Sequence, residues 1–226
     1  MGTGHTTPFC TGSIIADSWV ISARHCFDNF VGGNNFEVIA GSSDYRNGTR
    51  YRVAEWSRHD DILRDIAVIK IVGAFPSNLE RVGLGTHDVM ARSGATGQLA
   101  SFAGWGQQGP DRRQLPQMHQ ARPLRLDTDL ASCFDGHPLV NENIAGVSAL
   151  VCAFPTQQSN VCFGDSGGPL TVEHQGRAHV IGISAGVHTD CMTWSAFTTV
   201  AHYSDWIRNN TRGEVFVPPN PPPPPP

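Results

Sequence analysis

Residues Gly164–Pro169 read Gly-Asp-Ser-Gly-Gly-Pro, and this stretch decides how the rest of the sequence is interpreted. A serine between glycines predicts a sharply turned loop, because glycine adopts backbone conformations closed to other residues and the proline prevents a continuing helix. Such a loop exposes the Ser166 hydroxyl and leaves nearby N–H groups unpaired, which supplies a nucleophile and donors for an oxyanion. The alternative is a glycine-rich surface turn that contains a serine by chance, which is expected in roughly one chain of this length in 10⁵.

His25 is the candidate for the base that a serine nucleophile needs. It stands out among the ten histidines because Cys26 follows it and the apolar run Trp19–Ile21 precedes it. Cys10 lies sixteen residues before Cys26, and a bridge between the two cysteines would hold the loop that carries His25 rigid.

Asp65 is the candidate for the carboxylate that orients this base. It precedes Ile66–Ile71, a run rich in β-branched residues that predicts a buried strand. A carboxylate at the mouth of such a strand needs a partner, because an unpaired buried charge is costly. Taken alone, Asp65 could equally be a strand-end cap, but its occurrence with His25 and Ser166 in one chain favours the catalytic interpretation.

Three segments resemble the signatures of the chymotrypsin-like serine proteases, and they occur in that family's order. They are Ser-Ala-Arg-His-Cys ending at Cys26, Arg-Asp-Ile-Ala-Val-Ile around Asp65, and Gly-Asp-Ser-Gly-Gly-Pro around Ser166. Ala103–Gly106 and Tyr203–Ile207 match two further landmarks of the family, so the resemblance covers nearly the whole chain.

The resemblance implies an all-β fold of two packed antiparallel six-stranded Greek-key barrels, with a short C-terminal helix and an active site in the cleft between the barrels. Many short strands separated by turns also favour a barrel architecture. We expect the first barrel in residues 1–93, with the base and its carboxylate, and the second barrel and helix in residues 94–210, with the nucleophile. Residues 211–226 are expected to be a disordered proline-rich tail.

Local patterns predict where several strands and the helix lie. Val200, Tyr203 and Ile207 share one helical face, with Thr198 or Thr199 available as the cap. Short apolar or alternating runs predict strands at residues 13–15, 19–22, 36–41, 98–103, 124–126, 180–184 and 196–198.

The resemblance also implies roles for residues around the triad. Ser166 would be the nucleophile, with the backbone N–H groups of Gly164 and Ser166 forming the oxyanion hole. Asp165 would be the activation partner, since in this family it pairs with an ammonium group freed by cleavage at an Ile-Val-Gly-Gly-like terminus.

The pocket for the side chain before the cleaved bond is also placed by the resemblance. It contains no carboxylate at the position where trypsin-like members carry one, so Lys and Arg should be disfavoured. Its sequence is most similar to the elastase branch, which indicates cleavage after small to medium apolar residues, although the Cys191 loop and Ala185 depart from that pattern. The pocket residues are Asn160, Val161, Phe163, Ser184, Ala185, Gly186 and Ser195.

Six cysteines without a Cys-x-x-Cys pair predict three disulfides and therefore a secreted, extracellular protein, with free thiols or a zinc site as the alternative. Of the fifteen pairings that six cysteines allow, the family resemblance selects Cys10–Cys26, Cys133–Cys152 and Cys162–Cys191.

The net charge and the length of the apolar runs exclude some classes of binding partner. A net charge of −4 and a pI of about 6.2 argue against nucleic acid and anionic membranes, and no apolar run reaches transmembrane length. We expect a monomer without cofactor or metal whose partners are protein or peptide substrates and protein protease inhibitors. The first residues lack the basic start and apolar core of a signal peptide, so we expect a leader to be missing from this sequence.

Activation is where the chain departs from the family. The sequence begins Met-Gly-Thr without an Ile-Val-Gly-Gly motif, and Arg24 replaces a small residue before His25. One expectation is a truncated chain that folds but is poorly active, with a mobile Gly164 loop. The other is that a histidine or arginine neutralises Asp165. A silent, zymogen-like homologue that binds a partner is the alternative function, and a binding module using its proline tail is a third hypothesis.

Overall fold

The structure is a computed structural model that describes residues 8–30, 34–111, 113–129, 133, 149–156 and 161–217. Strands dominate it, and the helices are short. The elements are β1 Ser13–Ile14, β2 Trp19–Ser22, β3 Glu37–Ala40, β4 Thr49–Arg58, β5 Ala67–Ile71, β6 Gly83–Leu84, α1 His87–Ser93, β7 Leu99–Gly104, β8 His119–Asp127, β9 Leu150–Pro155, β10 Pro169–His174, β11 Arg177–Val187, β12 Ser195–Thr199 and α2 Ser204–Asn210. Each predicted strand coincides with one of these or lies within it, allowing a residue or two at its ends. The all-β prediction is therefore confirmed.

The second half of the chain forms a closed barrel. Strands β7, β8, β9, β12, β11 and β10 pair in that order, and the pairing of β10 with β7 closes the ring. Two-residue strand β6 adds to β11 in parallel at the outside of the ring. The core of this barrel contains Phe102, Leu124, Leu170, Ile181 and Phe197. The predicted six strands are therefore present in this barrel.

The first half forms a curled sheet that stays open within the described residues. Its five strands follow the order β1-β2-β5-β4-β3, and β1 and β3 are its edges. The prediction of six strands is wrong here, since β1 has only two residues and pairs with β2 alone. Ile14 of β1 and Val38–Ala40 of β3 instead line a cavity of about 170 Å³.

Backbone hydrogen bonds join the two halves on one side. The Met118 N–H donates to the Ser43 carbonyl over 2.7 Å, and the Tyr45 N–H donates to Pro116 over 3.1 Å. Trp105 Nε1 donates to the same Ser43 carbonyl over 2.8 Å. These contacts fix the barrels relative to each other. The division of the chain at residues 93 and 94 stays a prediction.

The C-terminal helix packs against the first half of the molecule. A 3₁₀ turn, Val200–Tyr203, leads into α2, and the predicted face of Val200, Tyr203 and Ile207 is buried in the core of the first sheet. Thr199 occupies the N-cap position of this turn as predicted, but its side chain makes no capping hydrogen bond. Burial of the apolar face therefore holds this helix.

All six cysteines are paired as predicted, in the bridges Cys10–Cys26, Cys133–Cys152 and Cys162–Cys191. The first bridge lies beside the His25 turn and the third beside the Ser166 loop. Of residues 211–226, which were predicted to form a disordered tail, 211–217 are described, and Val215 and Val217 are buried in the core of the first sheet; residues 218–226 lie outside the described residues. In the part of the chain that the structure describes, each helix is too short and too polar to cross a membrane.

Candidate active site

His25 lies at the start of a 3₁₀ turn, His25–Phe27, just after β2. Cys26 is bonded to Cys10. Phe27 is fully buried and stacks on Trp56 with ring centroids 5.0 Å apart. The His25 side chain remains 38% exposed. Packing and the disulfide thus anchor the turn and leave one edge of the imidazole open to the cleft.

One carboxylate holds His25 at two atoms. The backbone N–H of His25 donates to Asp65 Oδ1 over 2.8 Å, and ring Nδ1 lies 2.7 Å from Asp65 Oδ2. An ionised carboxylate only accepts hydrogen bonds, so Nδ1 carries the ring proton and Nε2 is left as the free basic nitrogen. Asp65 therefore selects both the orientation and the tautomer of the ring.

The pKa of His25 lies above its ordinary value. Burial of the ring pulls the pKa down, but the hydrogen bond and the negative charge of Asp65 outweigh it, and Asp28 raises the pKa further. The positive charge of Arg24 acts in the opposite direction. The imidazolium form is thus easier to reach than in a free histidine, which suits a base that must hold a proton during a reaction.

Arg24 is turned away from the base that it precedes. Its Nη1 lies 2.5 Å from Asp28 Oδ1, and its Nε donates to the His59 carbonyl over 2.8 Å. Arg58 Nη1 lies 2.7 Å from the same Asp28 oxygen. Arg24 bonds to Asp28 and not to the His25 ring. It therefore lowers the pKa of His25 through its charge alone.

The Ser166 loop is packed so closely that its glycines are required. Gly167 has φ +79°, and a Cβ there would lie 2.1 Å from Ser22 Oγ and 2.9 Å from Ala23 N. Gly164 has φ +92°. Only glycine adopts such backbone conformations without strain. At Gly167 the contact with Ser22 also leaves no space for a side chain. The loop therefore lies directly against the segment that leads to His25.

Backbone hydrogen bonds fix the middle of the loop between the two sheets. The Thr11 N–H donates to the Ser166 carbonyl over 2.8 Å, and the Gly167 N–H donates to the Ser184 carbonyl over 2.8 Å. Thr11 belongs to the first half of the chain and Ser184 to β11. The loop consequently bridges both halves at the cleft.

The structure brings the predicted nucleophile and base onto touching segments without bonding them. Within the described residues, no hydrogen bond joins the Ser166 hydroxyl to the His25 ring. The N–H groups of Gly164 and Ser166 also donate to no atom of the described residues, whereas the Asp165 N–H between them donates to the Cys162 carbonyl over 3.1 Å. Both predicted oxyanion donors are thus unoccupied.

Asp165 is completely buried beneath the loop. Its Oδ1 accepts from the Gly106 N–H over 2.8 Å, and its Oδ2 accepts from the Cys162 N–H over 3.0 Å. His119 Nε2 of β8 lies 3.2 Å from Oδ2. Sequence reasoning missed His119, since the residues around it match no motif and only the pairing of β7 with β8 carries it to this place.

Of the predicted pocket residues, Ala185 and Gly186 line the cleft beside His25. Val161, Ser184 and Ser195 are buried, whereas the Phe163 side chain is exposed. The register of β11 and β12 pairs Ser184 with Phe197, Gly186 with Ala196 and Val187 with Ser195, so Ser195 lies on the strand next to Ser184–Gly186. Asn160 lies outside the described residues, so its role stays a prediction.

An open cleft of about 300 Å³ runs beside the base. Sequence reasoning missed Trp194, which lines it together with Ala185 and packs edge-on against His188 with ring centroids 5.8 Å apart. The remaining lining residues include His25, Asp65, Ile62, Leu63, Leu150, Gly186 and Val187. The cleft thus has an apolar wall facing the base and carboxylate.

The donor chemistry near the base does not suit a metal. Polar atoms of Cys10, His25 and Cys26 lie within 4.8 Å of one another, but both sulfurs belong to the disulfide and cannot act as thiolate ligands.

Comparison with known proteins finds matches over most of the chain. The sequence model of the family described as Trypsin matches residues 1–207. The chain is 27% identical over 212 residues to snake venom serine protease 1 of Craspedocephalus gramineus, covering 91% of this chain and 78% of the relative. It is 28% identical over 213 residues to trypsin epsilon of Drosophila erecta, covering 90% and 78%. It is 30% identical over 227 residues to transmembrane protease serine 11G of Mus musculus, covering 89% of this chain and 49% of that protein.

Proposed function

This chain belongs to the trypsin family and is a serine endopeptidase, and on that premise we propose that Ser166, His25 and Asp65 carry out its peptide hydrolysis. The observation that carries the proposal is the double contact of Asp65 with His25, at 2.8 and 2.7 Å, on a segment against which the Ser166 loop is packed. Such an arrangement supplies an oriented base next to a hydroxyl.

The reaction then follows from the positions of the groups. Ser166 Oγ attacks the carbonyl carbon of the substrate while His25 Nε2 takes its proton, and Asp65 stabilises the imidazolium that forms. The N–H groups of Gly164 and Ser166 donate to the oxyanion of the tetrahedral intermediate. His25 returns the proton to the leaving amine, which leaves an acyl group on Ser166, and water releases that group by the same steps in reverse.

The hydrogen bond between Ser166 and His25 forms when substrate enters. Catalytic hydrogen bonds in free enzymes are often long and shorten in the substrate complex. The exposed edge of the His25 ring faces the cleft, and the Ser166 loop is held from both sides by Thr11 and Ser184.

We further propose cleavage after small to medium apolar residues such as Val, Ala, Leu or Met. Support comes from the lack of charge: Ala185 and Gly186 line the cleft beside His25, Val161, Ser184 and Ser195 are buried, and none of the described pocket residues is a carboxylate. A Lys or Arg side chain would be desolvated there without a partner charge. A peptide-library digest dominated by cuts after Arg or Lys would show that this pocket assignment is wrong.

An extracellular monomer with three disulfides fits the same proposal, with protein substrates and protein inhibitors as partners. No observation favours the silent homologue, because the groups for each step of acyl transfer are present.

Covalent labelling with a fluorophosphonate tests the proposal directly. The wild-type chain should be labelled at Ser166, and the Ser166→Ala variant should not be labelled, since only an activated serine reacts with such a probe. The exposed Ser43→Ala variant serves as the matched control and should label like wild type. A folded wild-type chain that takes up no label would exclude the proposed activity.

A further inference from the structure

Asp165 is a buried carboxylate directly beside the proposed nucleophile. Its residue exposure is 0%, and two backbone N–H groups, from Gly106 and Cys162, donate to its two oxygens. Backbone N–H groups orient a carboxylate but carry no net charge to balance it. A buried anion is stable in a protein when a cation lies against it.

The fold makes room for this carboxylate by omitting side chains. A Cβ on Gly104 would lie 2.1 Å from Asp165 Oδ1, and a Cβ on Gly106 would lie 2.5 Å from its Cγ. Gly104 ends β7, where it pairs with His119 of β8. The Gly-Trp-Gly landmark therefore forms a socket for Asp165, and the strand register places His119 at its edge.

His119 is the titratable side chain that lies against Asp165 in this socket. Its side chain is 7% exposed, and its Nε2 lies 3.2 Å from Asp165 Oδ2. Neither ring nitrogen has a hydrogen bond of good geometry to any described residue, so the approach of Nε2 to Asp165 is an ion-pair distance alone, and the ring packs against Phe102 with centroids 6.2 Å apart. Within the described part of the chain, no other cationic side chain lies within ion-pair distance of Asp165. A buried histidine without other partners is best explained by the carboxylate beside it.

We propose that His119 is the counter-ion of Asp165 and a positioning residue for the Ser166 loop. The inference rests on the proposed function of that loop. The positive charge of His119 keeps the Asp165 carboxylate turned down into its socket. The backbone on either side of Asp165 belongs to Gly164 and Ser166, so the anchored carboxylate also sets the direction of the two oxyanion donors. His119 therefore supplies from β8 a positive charge that this loop needs to be productive.

The inference predicts a specific kinetic defect. Oxyanion donors act in the transition state, so their misplacement should lower kcat with little change in KM. We expect His119→Gln to lower kcat by about 10²-fold, the usual effect of losing one oxyanion donor. His174→Gln is the matched control, since His174 is also nearly buried but lies at the last position of β10, where it bonds to Ser93. That variant should keep wild-type kcat.

Chemical rescue separates charge from packing. His119→Gly leaves a ring-sized space beside Asp165, and added imidazole, which can be protonated, should recover most of the lost turnover. Pyrazole has the same shape but stays uncharged near neutral pH, so it should fill the space without restoring the rate. Equal rescue by both compounds, or by neither, would overturn the inference. His119→Lys, which keeps a cation, should retain more activity than His119→Gln.

A double-mutant cycle tests whether His119 acts through Asp165. The losses from His119→Gln and Asp165→Asn should not add in the double variant, because each removes the same interaction. Additive losses would contradict the proposal.

Fluorophosphonate labelling distinguishes a failed inference from a failed function. Absence of label in the wild type would refute the catalytic proposal and this inference with it. A labelled wild type together with equally fast labelling of folded His119→Gln would refute the inference alone. Should His119→Gln fail to fold, the comparison of His119→Lys with wild type decides, and a 10²-fold loss in folded His119→Lys would count against the charge.

Discussion

His25 and Asp65 in the first sheet are joined by two hydrogen bonds of 2.8 and 2.7 Å, on a turn anchored by a disulfide and by aromatic packing. The Ser166 loop in the second barrel is held differently, by close-packed glycines and by the buried carboxylate of Asp165. The base side is thus complete in the free protein, whereas the nucleophile side depends on one charged socket and on backbone conformations open only to glycine. We infer that the Asp65–His25 pair governs proton transfer. The packing of the Ser166 loop governs whether the nucleophile and the oxyanion donors are in position.

The largest effect should come from breaking the base side. Asp65→Asn keeps the shape of the carboxylate but presents an amide that can hold the wrong tautomer of His25. We expect kcat to fall by about 10⁴-fold, as the orienting aspartate of such triads contributes that much. Stopped assays on an apolar ester, with thermal unfolding to confirm the fold, would measure it. A loss of tenfold or less would mean that His25 is not oriented by Asp65.

A substitution in the Ser166 loop should lower activity less than Asp65→Asn does, and it should also lower the stability of the fold. Gly167→Ala introduces a Cβ 2.1 Å from Ser22 Oγ at φ +79°. The loop must shift, and a displacement of about 1 Å at a nucleophile costs about 10²-fold in rate. The melting temperature should fall as well.

Gly176→Ala provides the matched control for this loop variant. Gly176 has φ +74°, and a Cβ there would meet nothing within 4 Å. It should lose about 1–2 kcal/mol of stability from backbone strain alone. Its turnover per folded molecule should stay at the wild-type level. Equal activity losses in the two variants would show that strain, not the contact with Ser22, explains the defect.

A third substitution separates the packing beneath the His25 turn from the hydrogen bonds that orient the His25 ring. Phe27→Ala removes a fully buried ring that stacks on Trp56 at 5.0 Å and lies 5.1 Å from Phe36. Loss of a buried Phe side chain costs about 3–5 kcal/mol. We nevertheless expect a change in kcat of less than tenfold in the folded fraction, because both bonds from Asp65 to His25 remain. Denaturant unfolding and active-site titration of the same sample would test this.

The sequence predicted the parts of the site that depend on local chain geometry. The Gly-Asp-Ser-Gly-Gly-Pro stretch predicted a tight loop around Ser166, and the structure requires its glycines. The β-branched run after Asp65 likewise predicted a strand, β5, with a carboxylate at its start that needs a partner. These features follow from residues within a few positions of one another, where composition restricts the backbone directly.

The features that the sequence did not predict depend on long-range register. His119 reaches Asp165 because β8 pairs with β7 at Gly104, and nothing within Met118–Gln120 indicates that pairing. Trp194 reaches the cleft through the turn between β11 and β12. The open edge of the first sheet likewise reflects how few residues β1 contributes. Pairing of distant strands is decided by packing across the whole sheet, which one local pattern does not contain.

The smallest expected effect is a shift in the pKa of His25 caused by its two charged neighbours, Asp28 and Arg24. Asp28 raises this pKa and Arg24 lowers it, and the two side chains bond to each other over 2.5 Å. The base must be neutral to accept the proton of Ser166, so kcat/KM should rise with pH through the pKa of His25, which lies above the ordinary imidazole value of about 6.5.

Asp28→Asn removes a negative charge and leaves Arg24 uncompensated, so the midpoint of the kcat/KM profile should move to lower pH. Arg24→Gln removes the positive charge and leaves Asp28 in place, so the midpoint should move to higher pH. The plateau rate above both midpoints should stay near wild type in each variant, because neither residue bonds to the ring. Measuring kcat/KM for a Val or Ala ester between acidic and mildly alkaline pH, at two salt concentrations, gives both shifts, and salt should shrink them since Asp28 is partly exposed. Shifts in the same direction for both variants would mean that structural change, rather than charge, moves the base, and the electrostatic account of His25 would then be abandoned.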